Sequence, residues 1–217
     1  MGFPLLSGLI FLPLVGALLI ALFTRGTEEG DRTARWLALL TTFVVLGVSL
    51  VALAQFDAGK DGFQFVELKR WFREYNISYH LGVDGISLSM IVLTAVLMPI
   101  CILCSWESVT KRVREYMITF LVLESVIMGV FSALDLLLFY VFFEAVLIPM
   151  YLIIGIWGGD KRIYAAYKFF LYTLAGSVLF LLALLYLYFT YGTTDIPTLM
   201  EEATDAPLRV QQWLWIA

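Results

Sequence analysis

Six long apolar stretches decide what this chain can fold into, because each is close to the ~20 residues of α-helix that cross about 30 Å of hydrocarbon at about 1.5 Å per residue. They run from Phe3 to Phe23, Trp36 to Phe56, Gly82 to Ser105, Tyr116 to Phe131, Leu136 to Trp157 and Tyr164 to Thr190. In hydrocarbon the backbone has to satisfy its own hydrogen bonds, so the expected fold is all-α, a polytopic transmembrane helix bundle with six full spans and the start of a seventh. Composition agrees: 61% of the 217 residues are hydrophobic, 15% are charged and the mean hydropathy is +0.90, which excludes a water-soluble globule. The net charge of -4 and the lack of a Lys/Arg-rich run give no reason to expect nucleic acid as a partner. Cys101 and Cys104 lie inside an apolar run and read as small buried hydrophobes rather than a redox pair.

Tyr116 to Trp157 has no Gly-Pro break, yet as one helix it would be about 63 Å long, twice the hydrocarbon thickness. The spacing therefore predicts a hairpin, with its turn at Ser132 to Asp135, where Ser and Asp before an apolar run look like a capping-box helix start. Val210 to Ala217 begins the seventh apolar run; its eight residues cannot span, and the sequence reads as part of a longer protein. Residues 1–115 then hold helices one to three with a long loop at about 57–81, and residues 116–217 hold helices four to six and the beginning of the seventh.

With the N-terminus outside, the inner loops carry eight basic residues, Arg25, Arg32, Arg35, Lys111, Arg112, Arg114, Lys161 and Arg162, against five in the outer loops. The positive-inside rule favours that orientation. The external loop at 57–81 mixes charge with Trp71, Phe72, Tyr75 and Tyr79, the composition of an ordered or interfacial cap rather than a flexible linker.

Ionisable groups in hydrocarbon cost about 2.5–3.5 kcal/mol each on insertion scales, so each marks a candidate functional residue. Glu144 lies nine residues past Asp135, about 13 Å from the outer end of its helix, and Glu124 eight residues before Ser132, about 12 Å deep on the antiparallel neighbour. Two carboxylates at one depth, if they face each other, resist double ionisation through desolvation and like charge, the electrostatics of a proton relay. Tyr140 and Tyr151 share the helix face of Glu144 and are possible hydroxyl partners, and Pro149 frees the carbonyl of Ala145. Lys168 is five residues past the inner loop, where it either snorkels to the interface or joins Tyr164, Tyr172, Thr173 and Ser177 in an internal polar stripe. Asp84 reads as a helix N-cap, and the single histidine, His80, as a surface or packing group. No phosphate loop, metal cluster or nucleophile triad is present in the sequence, so no cofactor is expected in this chain.

Three strings, HLGVDGISLSM (His80 to Met90), LDLLLFYVFFEAVLIPMYLIIGIWG (Leu134 to Gly158) and YKFFLYTLAGS (Tyr167 to Ser177), closely resemble the antiporter-like subunit M of bacterial respiratory complex I, chain 4 in the mitochondrial enzyme. FFE followed by PMY and IGIWG separates that subunit from its sisters L and N. The resemblance implies a fourteen-helix bundle with an external N-terminus and two inverted repeats, the first of which begins here at about residue 116. It implies that Glu144 is the family's essential glutamate, paired with a lysine on a broken seventh helix beyond Ala217. It implies a proton-translocating subunit of NADH:quinone oxidoreductase in the bacterial inner membrane, with subunits L and N as partners. NADH, FMN, iron-sulfur clusters and quinone belong to other subunits of that enzyme. It gives no role to Lys168. A cation/proton antiporter or membrane-hydrogenase subunit would share the same fold and glutamate, and a seven-helix receptor is the alternative from another class.

Overall fold

In the computed structural model, residues 4–24, 27–72, 75–202 and 207–216 are described. Among them six helices are long and apolar enough to cross a membrane: α1 (Leu5–Phe23), α2 (Glu28–Gln55), α3 (Gly85–Cys104), α4 (Val113–Ser132), α5 (Leu136–Trp157) and α6 (Arg162–Tyr191). Between α2 and α3 lies an antiparallel hairpin, β1 (Gln64–Phe72) with β2 (Ile77–Val83), and two short helices follow α6, α7 (Ile196–Glu202) and α8 (Leu208–Ile216). Of the residues used in the charge count, Arg25 and Arg73 lie outside the described residues, as does Ala217.

Helix boundaries follow the caps rather than hydropathy alone. α2 starts eight residues before its apolar stretch, because Thr27 accepts from the Gly30 amide at 3.2 Å and Glu28, Glu29 and Asp31 fill the first turn, where the helix dipole favours them. α3 starts at Gly85 because Asp84 accepts from the Ser87 amide at 2.7 Å, as its position suggested. The turn at Ser132 to Asp135 is present, but the two polar residues divide the work: Ser132 Oγ donates back to Met128 O at 2.8 Å and closes α4, while Asp135 alone caps α5 through the Leu137 and Leu138 amides. α6 ends at Gly192, whose φ of +71° is a left-handed cap that a side chain would strain.

The core has two parts, each stitched by α1 to α4. One contains Leu6, Leu9 and Ile10 of α1, Val45 of α2, Ile91 of α3 and Met128 of α4; it lies toward the hairpin. The other contains Ile20, Ala34, Ala38, Ile102, Met117 and Leu121. Gly129 lets α5 approach α4 closely, since a Cβ there would meet the Phe142 ring at 2.5–2.6 Å. Large apolar side chains such as Leu18, Leu40, Leu93 and Ile148 stay exposed, as a surface bathed in lipid tails requires. Both cysteines are free, and Cys104 is exposed rather than buried.

The 57–81 segment is an ordered cap in the form of the hairpin. Its register slips between Gln64 and Glu67, where Phe65 has a φ of +54°, and the bulge aims Glu67 at the start of α1. The Glu67 carboxylate accepts from the amides of Leu6 (2.8 Å) and Ser7 (3.2 Å) and from the Ser7 hydroxyl, so a strand residue caps a helix about 60 positions away. Tyr79 on β2 adds a 3.0 Å contact to the same hydroxyl; its phenol is pushed above the ordinary range by burial and by the Glu67 charge, against the Ser7 hydrogen bond.

Candidate functional site

Asp135 fixes where α5 begins, and Tyr140 and Glu144, one turn apart, share a face of that helix, with Tyr140 set against Phe180 of α6. The Tyr140 hydroxyl lies beside both the Glu144 carboxylate and the hydroxyl of Ser177, a buried residue of α6. Phe180 of α6 secures this face, with ring centres 5.8 Å from Phe139 and 6.1 Å from Tyr140. A groove of about 450 Å³ between the two helices is lined by Phe139, Phe143, Thr173, Ser177 and Phe180. Glu144 Oε1 is enclosed and has no hydrogen-bond partner among the described residues. Pro149 is buried inside α5, so the Ala145 carbonyl lacks its usual donor one residue from the carboxylate. Tyr151 packs on Phe170 of α6 at 5.7 Å instead of joining the carboxylate.

Glu124 is fully buried in α4, and neither of its oxygens has a hydrogen-bond partner among the described residues. It shares a face of α4 with Met117, Leu121 and Met128, which pack into the core made with α1 to α3. Gly129, which receives Phe142 of α5, lies about 140° around the helix from it. Glu124 thus looks away from α5, and Glu144 looks toward α6; no hydrogen bond joins them among the described residues. Lys168 is exposed near the start of α6 with Nζ 5.9 Å from the Tyr164 ring centre, and no ion pair reaches it among the described residues. The structure therefore brings Tyr140, Glu144 and Ser177 together and leaves Glu124 and Lys168 apart from them.

A second polar cluster, at the hairpin end of the bundle, was not read from the sequence. His80 is buried, its Nδ1 is 2.6 Å from Asp195 Oδ1, and Asp195 Oδ2 accepts from the Thr198 amide and hydroxyl at the start of α7. Burial raises the Asp195 pKa, but the bonds from Thr198 and His80 outweigh it and hold the carboxyl below its ordinary value. Asp135 Oδ2 meanwhile accepts from the Ser78 amide and the Thr194 hydroxyl. The Asp195-to-Thr198 spacing is a helix-start signal visible in the sequence; the link from His80 to a residue 115 positions away is not.

Residues 32–132 match the family described as NADH-ubiquinone oxidoreductase chain 4, amino terminus, and residues 133–216 match the family described as NADH:quinone oxidoreductase/Mrp antiporter, TM. The two matches meet at the turn between α4 and α5. NADH-quinone oxidoreductase subunit M of Rhodobacter capsulatus is 56% identical over 198 residues, which are 91% of this chain and 38% of that protein. The chain belongs to the subunit M, or chain 4, family of NADH:quinone oxidoreductases. Subunit M of Rickettsia prowazekii is 44% identical over 99% of this chain and 44% of its own length, and chain 4 of Arabidopsis thaliana is 48% identical over 98% and 42%. The chain thus spans about two-fifths of the length of these family members. Its fold superposes on a chain of respiratory complex I from Thermus thermophilus with a TM-score of 0.81 and 25% identity, covering 97% of this chain and 42% of that one. A chain of an archaeal membrane-bound sulfane sulfur reductase shares the fold, with a TM-score of 0.76 and 20% identity over 97% of this chain and 42% of that one. It is a multi-pass membrane protein of this family, and within it Glu144 stands on the helix that opens the second matched region.

Proposed function

We propose that this chain is the proton-translocating part of a membrane subunit of NADH:quinone oxidoreductase, and that Glu144 is its switchable proton site. The observation that carries the reading is the placement of Glu144 beside Tyr140, which in turn lies beside Ser177 of α6, on a largely apolar face between α5 and α6. A carboxyl held there has hydroxyl neighbours to pass a proton and little competing solvent, and a change in the local field alters which of its protonation states costs less. NADH, FMN, iron-sulfur clusters and quinone would be handled by partner subunits in the bacterial inner membrane, with subunits L and N as neighbours. This chain's own residues would hold and move protons. Glu124 and Lys168 enter the proposal as secondary proton sites reached through water.

The test is a pair of substitutions in the full-length subunit within its assembled complex. Glu144→Gln keeps size and removes titration, so assembly survives while pumping and coupled quinone reduction fall about a hundredfold or more, in the range seen for loss of a positioned acid-base group. Glu144→Asp keeps the carboxyl and retains part of the activity. For a residue that only packs, the order reverses, and normal pumping with Gln removes Glu144 from the mechanism.

A further inference from the structure

We propose that a mixed-charge cavity at the end of the bundle opposite the hairpin binds the headgroup of an aminophospholipid, a lipid carrying both a phosphate and a primary ammonium. The cavity has a volume of about 490 Å³ and lies between the start of α2 and the α3–α4 loop, lined by Glu28, Asp31, Arg32, Arg35, Trp36 and Trp106 among others. Its depth is that of a headgroup layer. Trp36 opens the apolar stretch of α2, Trp106 follows the end of α3 at Cys104, and α4 begins at Val113. The two indoles pack edge to face at 5.3 Å, the amphipathic side chains that favour a membrane interface.

The charges around this cavity form no ion pair with one another among the described residues. Glu28 with Arg32 and Asp31 with Arg35 have the one-turn spacing that suits ion pairs on a helix, yet neither pair is formed among the described residues. Arg35 is held in place by one bond, Nη2 to Val109 O at 2.9 Å, with its guanidinium carbon 6.0 Å from the Trp106 ring centre, and its Nε has no partner among the described residues. Two guanidinium groups on one helix face suit a phosphate, and the adjacent carboxylates suit an ammonium that can donate hydrogen bonds. A headgroup with only negative charge would meet Glu28 and Asp31 unfavourably, and a quaternary ammonium has no hydrogen to donate to them. Below Trp36, Leu40 and Phe43 follow on the same face of α2 and are exposed, which provides an apolar track for an acyl chain. Inorganic phosphate would use the arginines but neither the carboxylates nor this track.

The test uses the full-length protein in its membrane assembly, reconstituted in vesicles of phosphatidylethanolamine and phosphatidylglycerol with a trace of phosphatidylethanolamine bearing a photoactivatable group near the glycerol. Adducts mapped by peptide mass spectrometry are expected on residues 36–43 and 104–113. Added phosphatidylethanolamine should compete, and phosphatidylglycerol and inorganic phosphate should not. Arg32→Gln should lower the adduct about fivefold, the worth of one basic residue at a membrane surface. Glu28→Gln with Asp31→Asn should let phosphatidylglycerol compete at least as well as phosphatidylethanolamine. Adducts spread over all six helices, or equal competition by phosphatidylglycerol or phosphate in the unaltered protein, overturn the proposal. If a variant fails to assemble, the competition series on the unaltered protein decides alone.

Discussion

Replacing Glu67 by glutamine probes the cap that the hairpin places on α1. The carboxylate accepts two backbone amides and one hydroxyl, and its charge faces the positive end of the helix dipole. The amide keeps one acceptor oxygen but turns an N–H donor toward Ser7 and loses the charge. Charged hydrogen bonds contribute about 1.5–3 kcal/mol against about 1 for neutral ones, and a terminal charge about 0.3–1 kcal/mol, so the expected cost is about 1–2 kcal/mol. At 1.4 kcal/mol per decade, that opens the first turn of α1 roughly five- to thirtyfold more often. Amide hydrogen exchange of the detergent-solubilised full-length protein reads this directly at Leu6 and Ser7, while amides in the middle of α4 serve as an internal reference. Tyr79→Phe, which removes only the contact to the Ser7 hydroxyl, should give a smaller change at the same positions. Unchanged protection of Leu6 and Ser7 in Glu67→Gln, or an effect no larger than that of Glu29→Gln on the exposed start of α2, would refute the capping argument.

Three further outcomes are expected. Cysteines placed at the exposed positions Glu29, Thr110 and Gly159 should react only with reagent on the cytoplasmic side, and one at Lys60 only from the opposite side; the reverse pattern would invert the orientation inferred from the basic loops. The folded pKa of Asp195 lies below that of an unfolded aspartate, about 3.9, so its stabilisation is present above that pH and is lost as pH falls through the folded value. Asp195→Asn should flatten the acid limb of exchange protection around residues 193–198, and an unchanged limb would show that the carboxylate is not its source. Gly129→Ala forces a Cβ into the Phe142 ring and should destabilise by about 1–3 kcal/mol in thermal unfolding, whereas Gly47→Ala, with open space around it, should be neutral or stabilising by up to about 1 kcal/mol.

Much of the fold was legible because membrane length and helix caps are local. α5 runs from Leu136 to Trp157 as its apolar run indicated, since Asp135 sets one end and the Gly158-Gly159 pair the other. The two extra turns of α2 escaped a hydropathy ruler because they are polar and are held by a cap and acidic residues. The strands escaped because the bulges at Phe65 and beyond Arg70 break the alternation that marks a half-buried strand. Glu144 was visible as a charge in an apolar run. Its surroundings were not: whether it faces Glu124 depends on how α4 and α5 rotate about their axes, and that is set by the fit of Phe142 onto Gly129.

The turn between α4 and α5 also sets an order of events during synthesis. The Leu134 amide donates to His80 O, but the Leu134 carbonyl waits for the Ile196 amide, and the Leu136 amide waits for Thr194 O. Those partners emerge about 60 residues after the turn does, roughly 3–12 s later at ordinary rates of translation. Until residues 194–196 have been made, the Leu134 carbonyl and the Leu136 amide have no backbone partner of their own, so the junction is completed only when the chain has crossed back after α6.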